Sequence, residues 1–402
     1  MKINFISQFF DPEPTIRDLE FIKLLESKGS EITVITGFPN YPYGRIYDGY
    51  KQKIFQREKI GNINIVRLPL IPSRSKNVLM RALNVLSFFL SLTIYLIFFS
   101  KKNDITYAYH PPITIALASL ILKKIRGTPF VLDVLDLWPH SLVSTRFSTN
   151  TFIIRIIDII TKMVYRHADH IVVTSPGMKN EIMKNNILEK KISTIYNSTP
   201  ENRLRSYKKN ILKIPKSKFT FLYAGNIGPA QDIEILIDIA KQINIEKPSI
   251  QFVFVGTGIL KDKVIKKSLD LNCNNIIFLP HVNINEIWNY YEIADVGIVK
   301  LSKDKLFNIT IPGKTMSYMF FGLPILMIAN GDAANLVNSA NCGLSCNPND
   351  KNEILNNIKR LYNKNKKELK EMGDNGKNYY NSHLSTSNSI NKFHQIFLEI
   401  LK

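Results

Sequence analysis

Midway along the chain an apolar run, Phe219-Thr-Phe-Leu-Tyr-Ala, enters a turn with two glycines, Gly225-Asn-Ile-Gly, and a helical run from Ile233 to Ile243 leaves it. Strand, glycine turn and helix in that order form a nucleotide-type unit. The glycines let the backbone approach a ligand, and the helix turns its positive N-terminus towards an anion. Most such turns open a chain; this one follows 218 residues. Those residues alternate strand and helix as well, so the sequence calls for two such domains.

In the first half, strand-like runs fall at Lys2–Ser7, Glu31–Thr36, Ile63–Leu68, Ile105–Tyr109, Phe130–Leu135 and His170–Thr174. In the second they fall at Phe219–Ala224, Gln251–Val255, Ile276–Leu279, Val296–Val299 and Ile325–Ile328, with helical runs between. The fold expected is α/β: two doubly wound parallel-sheet domains of the Rossmann type facing a cleft. The polar stretch from Asn197 to Ser217, with Pro200 and Pro215, reads as the linker. The boundaries expected are 1–205 and 206–384, with a last helix at about 385–402. At 402 residues the chain is too long for one core.

Three cysteines, Cys273, Cys342 and Cys346, are too few for a disulfide framework and lack partners for a metal site, so no metal is expected. The net charge of +20 is spread evenly: Lys+Arg against Asp+Glu is 26 against 15 up to residue 200 and 27 against 18 beyond it. Such charge suits an anionic membrane or substrate, or simply reflects a Lys-rich composition. No recognition motif accompanies it, so nucleic acid is not an expected partner. The opening Met1-Lys-Ile-Asn-Phe-Ile-Ser reads as a short strand rather than a secretory signal.

From Leu79 to Phe99 the chain is apolar nearly all round, with Arg74, Lys76 and Arg81 before it or at its start and Lys101 and Lys102 after it. Its length almost suffices to cross a bilayer. The flanking strands read as members of one sheet, which a single crossing would separate. Burial against the sheet is one reading. The other, favoured here, lays an apolar face in one leaflet with the basic residues at anionic headgroups.

Ligands of open parallel sheets bind beyond the carboxyl ends of the strands. After the first strand come Glu13, Arg17 and Asp18; an acid before a helix is also an ordinary helix start. After the second comes Gly37-Phe-Pro-Asn-Tyr-Pro-Tyr-Gly, whose Asn40 and Tyr41 suit a sugar, and which also reads as a rigid turn. Asp136-Leu-Trp-Pro-His follows the fifth. Asp136 suits a sugar hydroxyl or a cationic carbon, and Trp138 offers a flat apolar face. His140 reads equally as a site residue or a helix-start neighbour. In the second half, Gly256-Thr-Gly joins the Gly225 turn, adding Gly256 and Gly258 to Gly225 and Gly228. Pro312-Gly-Lys opens a short helix that Gly322 and Pro324 close. A lysine in a first turn opposes the helix dipole unless an anion binds there, which marks Lys314.

Together these motifs resemble glycosyltransferase family four, a family of GT-B fold. They most resemble its bacterial O-antigen and capsule branch, typified by N-acetyl-L-fucosamine transferases. The matching stretches are Phe10-Asp-Pro-Glu with Arg17-Asp-Leu, Thr36-Gly-Phe-Pro-Asn-Tyr-Pro-Tyr-Gly, Asp136-Leu-Trp-Pro-His-Ser-Leu, Tyr223-Ala-Gly-Asn-Ile-Gly-Pro-Ala-Gln and Pro312-Gly-Lys-Thr-Met-Ser-Tyr-Met. The resemblance implies a retaining, metal-independent transferase without a cofactor. It implies a nucleotide-sugar in the C-terminal lobe, an acceptor approaching the N-terminal lobe, and a last helix that crosses back to the first lobe. Departures are visible. Ile309 and Ser317 stand where the wider family has two glutamates. Asn226 and Gln231 stand where it has an arginine and a lysine. Thr15 and Ile16 replace a double glycine, and His140 replaces a glutamate of the branch.

The expected activity is transfer of an N-acetylated hexosamine or 6-deoxyhexosamine from a UDP-sugar to a polyprenyl-diphosphate-linked saccharide, at the cytoplasmic face of the inner membrane. Gly228 and Lys314 would hold the diphosphate, and Asn226, Gln231 and Ser317 the phosphates, ribose or sugar. Asp136 would work at the reaction centre, with Glu13 and Arg17 at the acceptor or donor sugar. The alternatives are a UDP-sugar 2-epimerase of the same fold and a non-catalytic membrane-surface scaffold.

Overall fold

The computed structural model describes residues 1–75, 77–144, 151–205, 214–215 and 217–402. Lys76 and linker residues 206–213 and 216 lie outside them. Chain contacts divide the protein into Met1–Tyr196 with Ser387–Lys402, and Asn197–Thr386.

The first unit carries an eight-stranded sheet among the described residues. Its strands are β1 (Lys2–Ile6), β2 (Glu31–Gly37), β3 (Gln56–Ile60), β4 (Ile63–Leu68), β5 (Ile105–His110), β6 (Phe130–Val134), β7 (His170–Val173) and β8 (Ile192–Thr194). They lie in the order β3-β4-β2-β1-β5-β6-β7-β8, parallel throughout except where β3 runs antiparallel to β4. Helices pack on this sheet, so central strands such as β5 and β6 are buried along their whole length. The pattern of apolar runs missed β3 and β8 for a physical reason. β3 reads Gln-Arg-Glu-Lys-Ile and is mostly exposed, as suits an edge that must not recruit another strand. β8 is the opposite edge and only three residues long.

Ile390, Phe393, Ile396 and Phe397 of the Thr386–Ile400 helix join Phe5, Phe21 and Tyr107 in this unit's core. Phe393 stacks on Tyr107 with centroids 5.0 Å apart. Burying each such aromatic ring contributes on the order of 2–3 kcal/mol.

The Val78–Phe98 helix fills the connection between β4 and β5. Asn77 caps it by accepting from the Leu79 N–H. Its inner face buries Asn84, Phe88, Leu92, Tyr95 and Leu96. Asn84 is satisfied twice there, accepting from Gln8 Nε2 and donating to the Ile71 carbonyl, both at 2.7 Å. The outer face leaves Leu79, Leu83, Leu86, Leu90, Ile94 and Phe98 exposed, at helical spacing. Both strands that the helix joins belong to one sheet, so it does not cross a membrane between them.

The second unit holds β9 (Phe219–Ala224), β10 (Ile250–Val255), β11 (Ile276–Leu279), β12 (Val296–Lys300), β13 (Ile325–Ile328) and β14 (Gly343–Cys346). All are parallel, in the order β11-β10-β9-β12-β13-β14. β14 is a short, half-buried edge that no apolar run announced. Phe221, Phe252, Phe254 and the helix residues Leu236, Ile237 and Ile243 dominate the core.

Candidate functional site

Strand order reverses direction between β9 and β12 in the second sheet and between β1 and β5 in the first. Loops diverge at such a point and leave a crevice at the strand ends.

In the second unit the crevice is formed by the Gly225 turn and the N-terminus of the Gly313–Phe321 helix. Tyr318 joins them: its hydroxyl accepts from the Ala224 N–H at 3.1 Å and donates to the Leu222 carbonyl at 3.3 Å. The ring fits only because β12 carries Gly297, where a Cβ would fall 2.7 Å from Tyr318 Cδ2. The helix begins at Pro312 with no side-chain cap; the Thr315 N–H donates to the Pro312 carbonyl at 2.9 Å, and the Gly313 and Lys314 amides lead the helix.

Lys314, in that first turn, lays its Nζ over the Tyr223 ring, 3.5 Å from the centroid. The amine also reaches Gly225, where a Cβ would lie 3.1 Å from it. The stem is half-buried but Nζ is shielded from solvent and has no hydrogen-bond partner among the described residues. Burial lowers its pKa to about 7. A buried ammonium facing an uncapped helix N-terminus is electrostatically unfavourable by itself, and an anion between them reverses the sign of both terms.

Gly225 holds φ 136°, outside ordinary side-chain space, and the amine occupies the room a side chain would take. Asn226 Nδ2 donates to Gln231 Oε1 at 3.1 Å across Gly228, where a Cβ would press on that amide at 2.8 Å. These two residues therefore pair with each other beside the turn. Ser317 is half-buried one turn into the helix, 2.8 Å from Thr199 Oγ1.

Gly256 and Gly258 pack against the Gly225 turn itself. A Cβ on Gly256 would fall 1.9 Å from the Gly225 carbonyl oxygen, and one on Gly258 would fall 2.2 Å from that of Ile227. Their glycines serve backbone-to-backbone packing of the two loops, completed by the Ile227 N–H donating to the Thr257 carbonyl. They shape the Gly225 turn from behind.

In the first unit Asp136 follows β6 and is exposed, yet surrounding bulk raises its carboxyl above the usual range by desolvation. His110, at the end of β5, bonds the Asp136 carbonyl through Nε2 at 3.0 Å and meets the Trp138 ring edge-on at 5.4 Å. A carbonyl only accepts, so Nε2 carries the proton. Full burial lowers the His110 pKa to about 4, keeping the ring neutral. Trp138 and His140 line one cavity of about 210 Å³ with Lys162 and Tyr165. Tyr41 is partly exposed and packs on Phe9.

Three other expected contacts lie inside the protein. Arg17 is fully buried, with Nε 2.9 Å from Asp133 Oδ2 and its guanidinium over Phe21 and Phe393. It is a core residue, not an acceptor contact. Glu13 is buried as well. Its Oε1 accepts from the Asn40 and Tyr41 N–H groups at 2.7 and 2.6 Å, and its Oε2 from Phe10 at 3.2 Å. Burial nonetheless pushes its pKa up to about 7, against the lowering from those amides. Glu13 ties the loops after β1 and β2 together, and Asn40 is buried within that tie.

Known proteins share this architecture. Residues 17–198 match the family model for a glycosyl transferase 4-like domain, and residues 205–379 that for glycosyl transferases group 1. The glycosyltransferase WbjE of Pseudomonas aeruginosa is 25% identical over 62% of this chain and 64% of its own length. The colanic acid biosynthesis glycosyl transferase WcaI of Escherichia coli is 23% identical over 75% of this chain and 76% of its own. The chain thus spans less than two thirds of WbjE. Among solved structures, Anabaena HepE in complex with UDP superposes with a TM-score of 0.68 at 14% identity, covering 99% of this chain and all of that one. Sucrose-phosphate synthase of Thermosynechococcus elongatus does so at 0.71 and 16%, covering 99% and 98%. The chain has the GT-B fold, and its two halves match glycosyl transferase domain models.

In this GT-B chain the sequence missed two positioning residues. His110 sits at the strand-order reversal of the first sheet, a place that could be found only once β5 was known to lie beside β1. Tyr318 was hidden as an ordinary aromatic of a short helix. Among the described residues no group of three or more His, Cys, Asp or Glu side chains gathers as a metal site.

Proposed function

We propose that the protein transfers an N-acetylated hexosamine or 6-deoxyhexosamine, with retention of anomeric configuration, from a UDP-sugar to a polyprenyl-diphosphate-linked saccharide. The observation that carries this reading is Lys314, a buried amine without a hydrogen-bond partner among the described residues, between a helix N-terminus with no side-chain cap and a glycine turn. A diphosphate supplies the missing negative charge. The HepE structures hold UDP and UDP-glucose, which favours a UDP-linked donor here. WcaI is named for colanic acid synthesis, which favours a surface polysaccharide.

As the glycosidic bond to the donor breaks, charge grows on the leaving diphosphate. Lys314 and the helix amides are already oriented towards that charge and take the place of a metal ion or cofactor. Asp136 steadies the positive charge at the anomeric carbon. Its position is fixed through the His110 bond to its own carbonyl. Trp138 and His140 hold the acceptor from their shared cavity, with Tyr41 at the loop beyond β2. The exposed apolar stripe of the Val78–Phe98 helix lies in the cytoplasmic leaflet of the inner membrane, with Lys101 and Lys102 at anionic headgroups. That places the enzyme where its lipid-linked acceptor resides.

The test is a panel of UDP- and GDP-sugars offered with a synthetic polyprenyl-diphosphate saccharide and read by mass spectrometry. A product heavier by one sugar residue, formed from a UDP-sugar without added metal, is expected. Interconversion of UDP-sugars in the absence of acceptor would instead mark an epimerase.

A further inference from the structure

Lys300 ends β12, the strand beside β9 at the strand-order reversal of the second sheet. Its side chain is 0% exposed and its Nζ makes no hydrogen bond among the described residues. An amine so placed costs folding free energy, and burial lowers its pKa. The nearest opposite charge is Asp232 Oδ2 at 3.7 Å, too far for a hydrogen bond. Asp232 is itself 54% exposed and would be solvated without help.

Asp232 closes the donor turn. Its backbone is left-handed, at φ 45°, a region that aspartate tolerates better than most residues. Its N–H and that of Gln231 both donate to the Gly228 carbonyl at 3.1 Å. Two residues beyond Lys300, the Ser302 N–H donates to the Ala230 carbonyl at 2.9 Å. The end of β12 thus reaches the Gly228–Asp232 segment twice, once through backbone and once through charge.

We propose that Lys300 is a positioning residue for the donor: its ammonium holds Asp232, and through it the Gly228–Asp232 turn, in the shape that receives the diphosphate. This rests on reading the Gly225 turn as the donor site. A buried amine kept only for stability would be better replaced by an apolar side chain of the same length. Its retention beside the turn is explained by the loop it holds.

The test titrates UDP into the wild type, Lys300→Met, Asp232→Asn and the double variant, with a thermal melt of each. Asparagine keeps the left-handed backbone and removes only the charge. The UDP Kd should rise roughly tenfold in each single variant and no further in the double, the size of a coupling between residues in contact. Lys300→Met should melt no lower than the wild type. Equal Kd in Lys300→Met and wild type overturns the inference. So does a loss in Lys300→Met that Asp232→Asn does not share, because the amine then acts on the donor itself. If Lys300→Met fails to fold, Asp232→Asn alone decides: a tenfold weaker Kd supports the inference and an unchanged one overturns it. A wild type that does not bind UDP overturns the donor reading itself.

Discussion

Arg17 and Lys314 both carry buried cationic groups, and their surroundings are opposite. Arg17 lies in the first unit's core with Asp133 at 2.9 Å, two aromatic rings against its guanidinium, and Tyr107 donating to the same carboxylate at 2.7 Å. Lys314 lies in the second unit with an aromatic face beneath it and no acceptor among the described residues. Burial opposes the charge of both. The Asp133 carboxylate holds the Arg17 pKa above its usual value, while the amine without an acceptor falls to about 7. The paired Arg17 is part of the fold, whereas the Lys314 amine beside the glycine turn is the one we propose a ligand completes.

Removing each cation separates these roles. Arg17→Met leaves Asp133 buried without its counter-charge and should lower stability by about 3–5 kcal/mol in urea unfolding. The double variant Arg17→Met, Asp133→Leu should recover much of that loss. Lys314→Met leaves no carboxylate behind. It should melt at or above the wild-type temperature while turnover falls on the order of a hundredfold or more, as when one transition-state donor is removed. An Arg17→Met protein of wild-type stability, or a Lys314→Met protein of wild-type turnover, would break the comparison.

Glu13 offers a smaller and more graded effect. Its folded pKa of about 7 lies above the ordinary 4.5, so the folded state binds more protons between those values. Its contribution to stability is therefore fully present below about pH 4.5 and is lost as pH rises through about 7. Glu13→Gln should flatten that part of the stability-against-pH curve. An unchanged slope would mean that the loop tie does not titrate.

These contrasts also mark what a reader of the sequence could reach. Strand, glycine turn and helix at Gly225 announced a nucleotide-type domain because glycine and apolar alternation are local signals. Lys314 stood out because a cation in a helix's first turn breaks a local rule. The place of Arg17 in the core did not. It reads like a strand-end site residue, and only the packing of Phe393, from a helix far along the chain, encloses it. The packing role of Gly256 and Gly258 was hidden for the same reason, since the atoms that require glycine there belong to another loop. The edge strands β3, β8 and β14 escaped because an edge is short or charged.

The central claim is that Lys314 is the cation that meets the donor diphosphate. Calorimetric titration of UDP at pH 8, in two buffers of different ionisation enthalpy, tests it most directly. In the ligand-free protein the amine is largely neutral at that pH, and a bound diphosphate restores its charge. Binding should therefore take up about one proton in the wild type and none in Lys314→Met. Tight UDP binding without proton uptake, or the same uptake in Lys314→Met, would contradict the account.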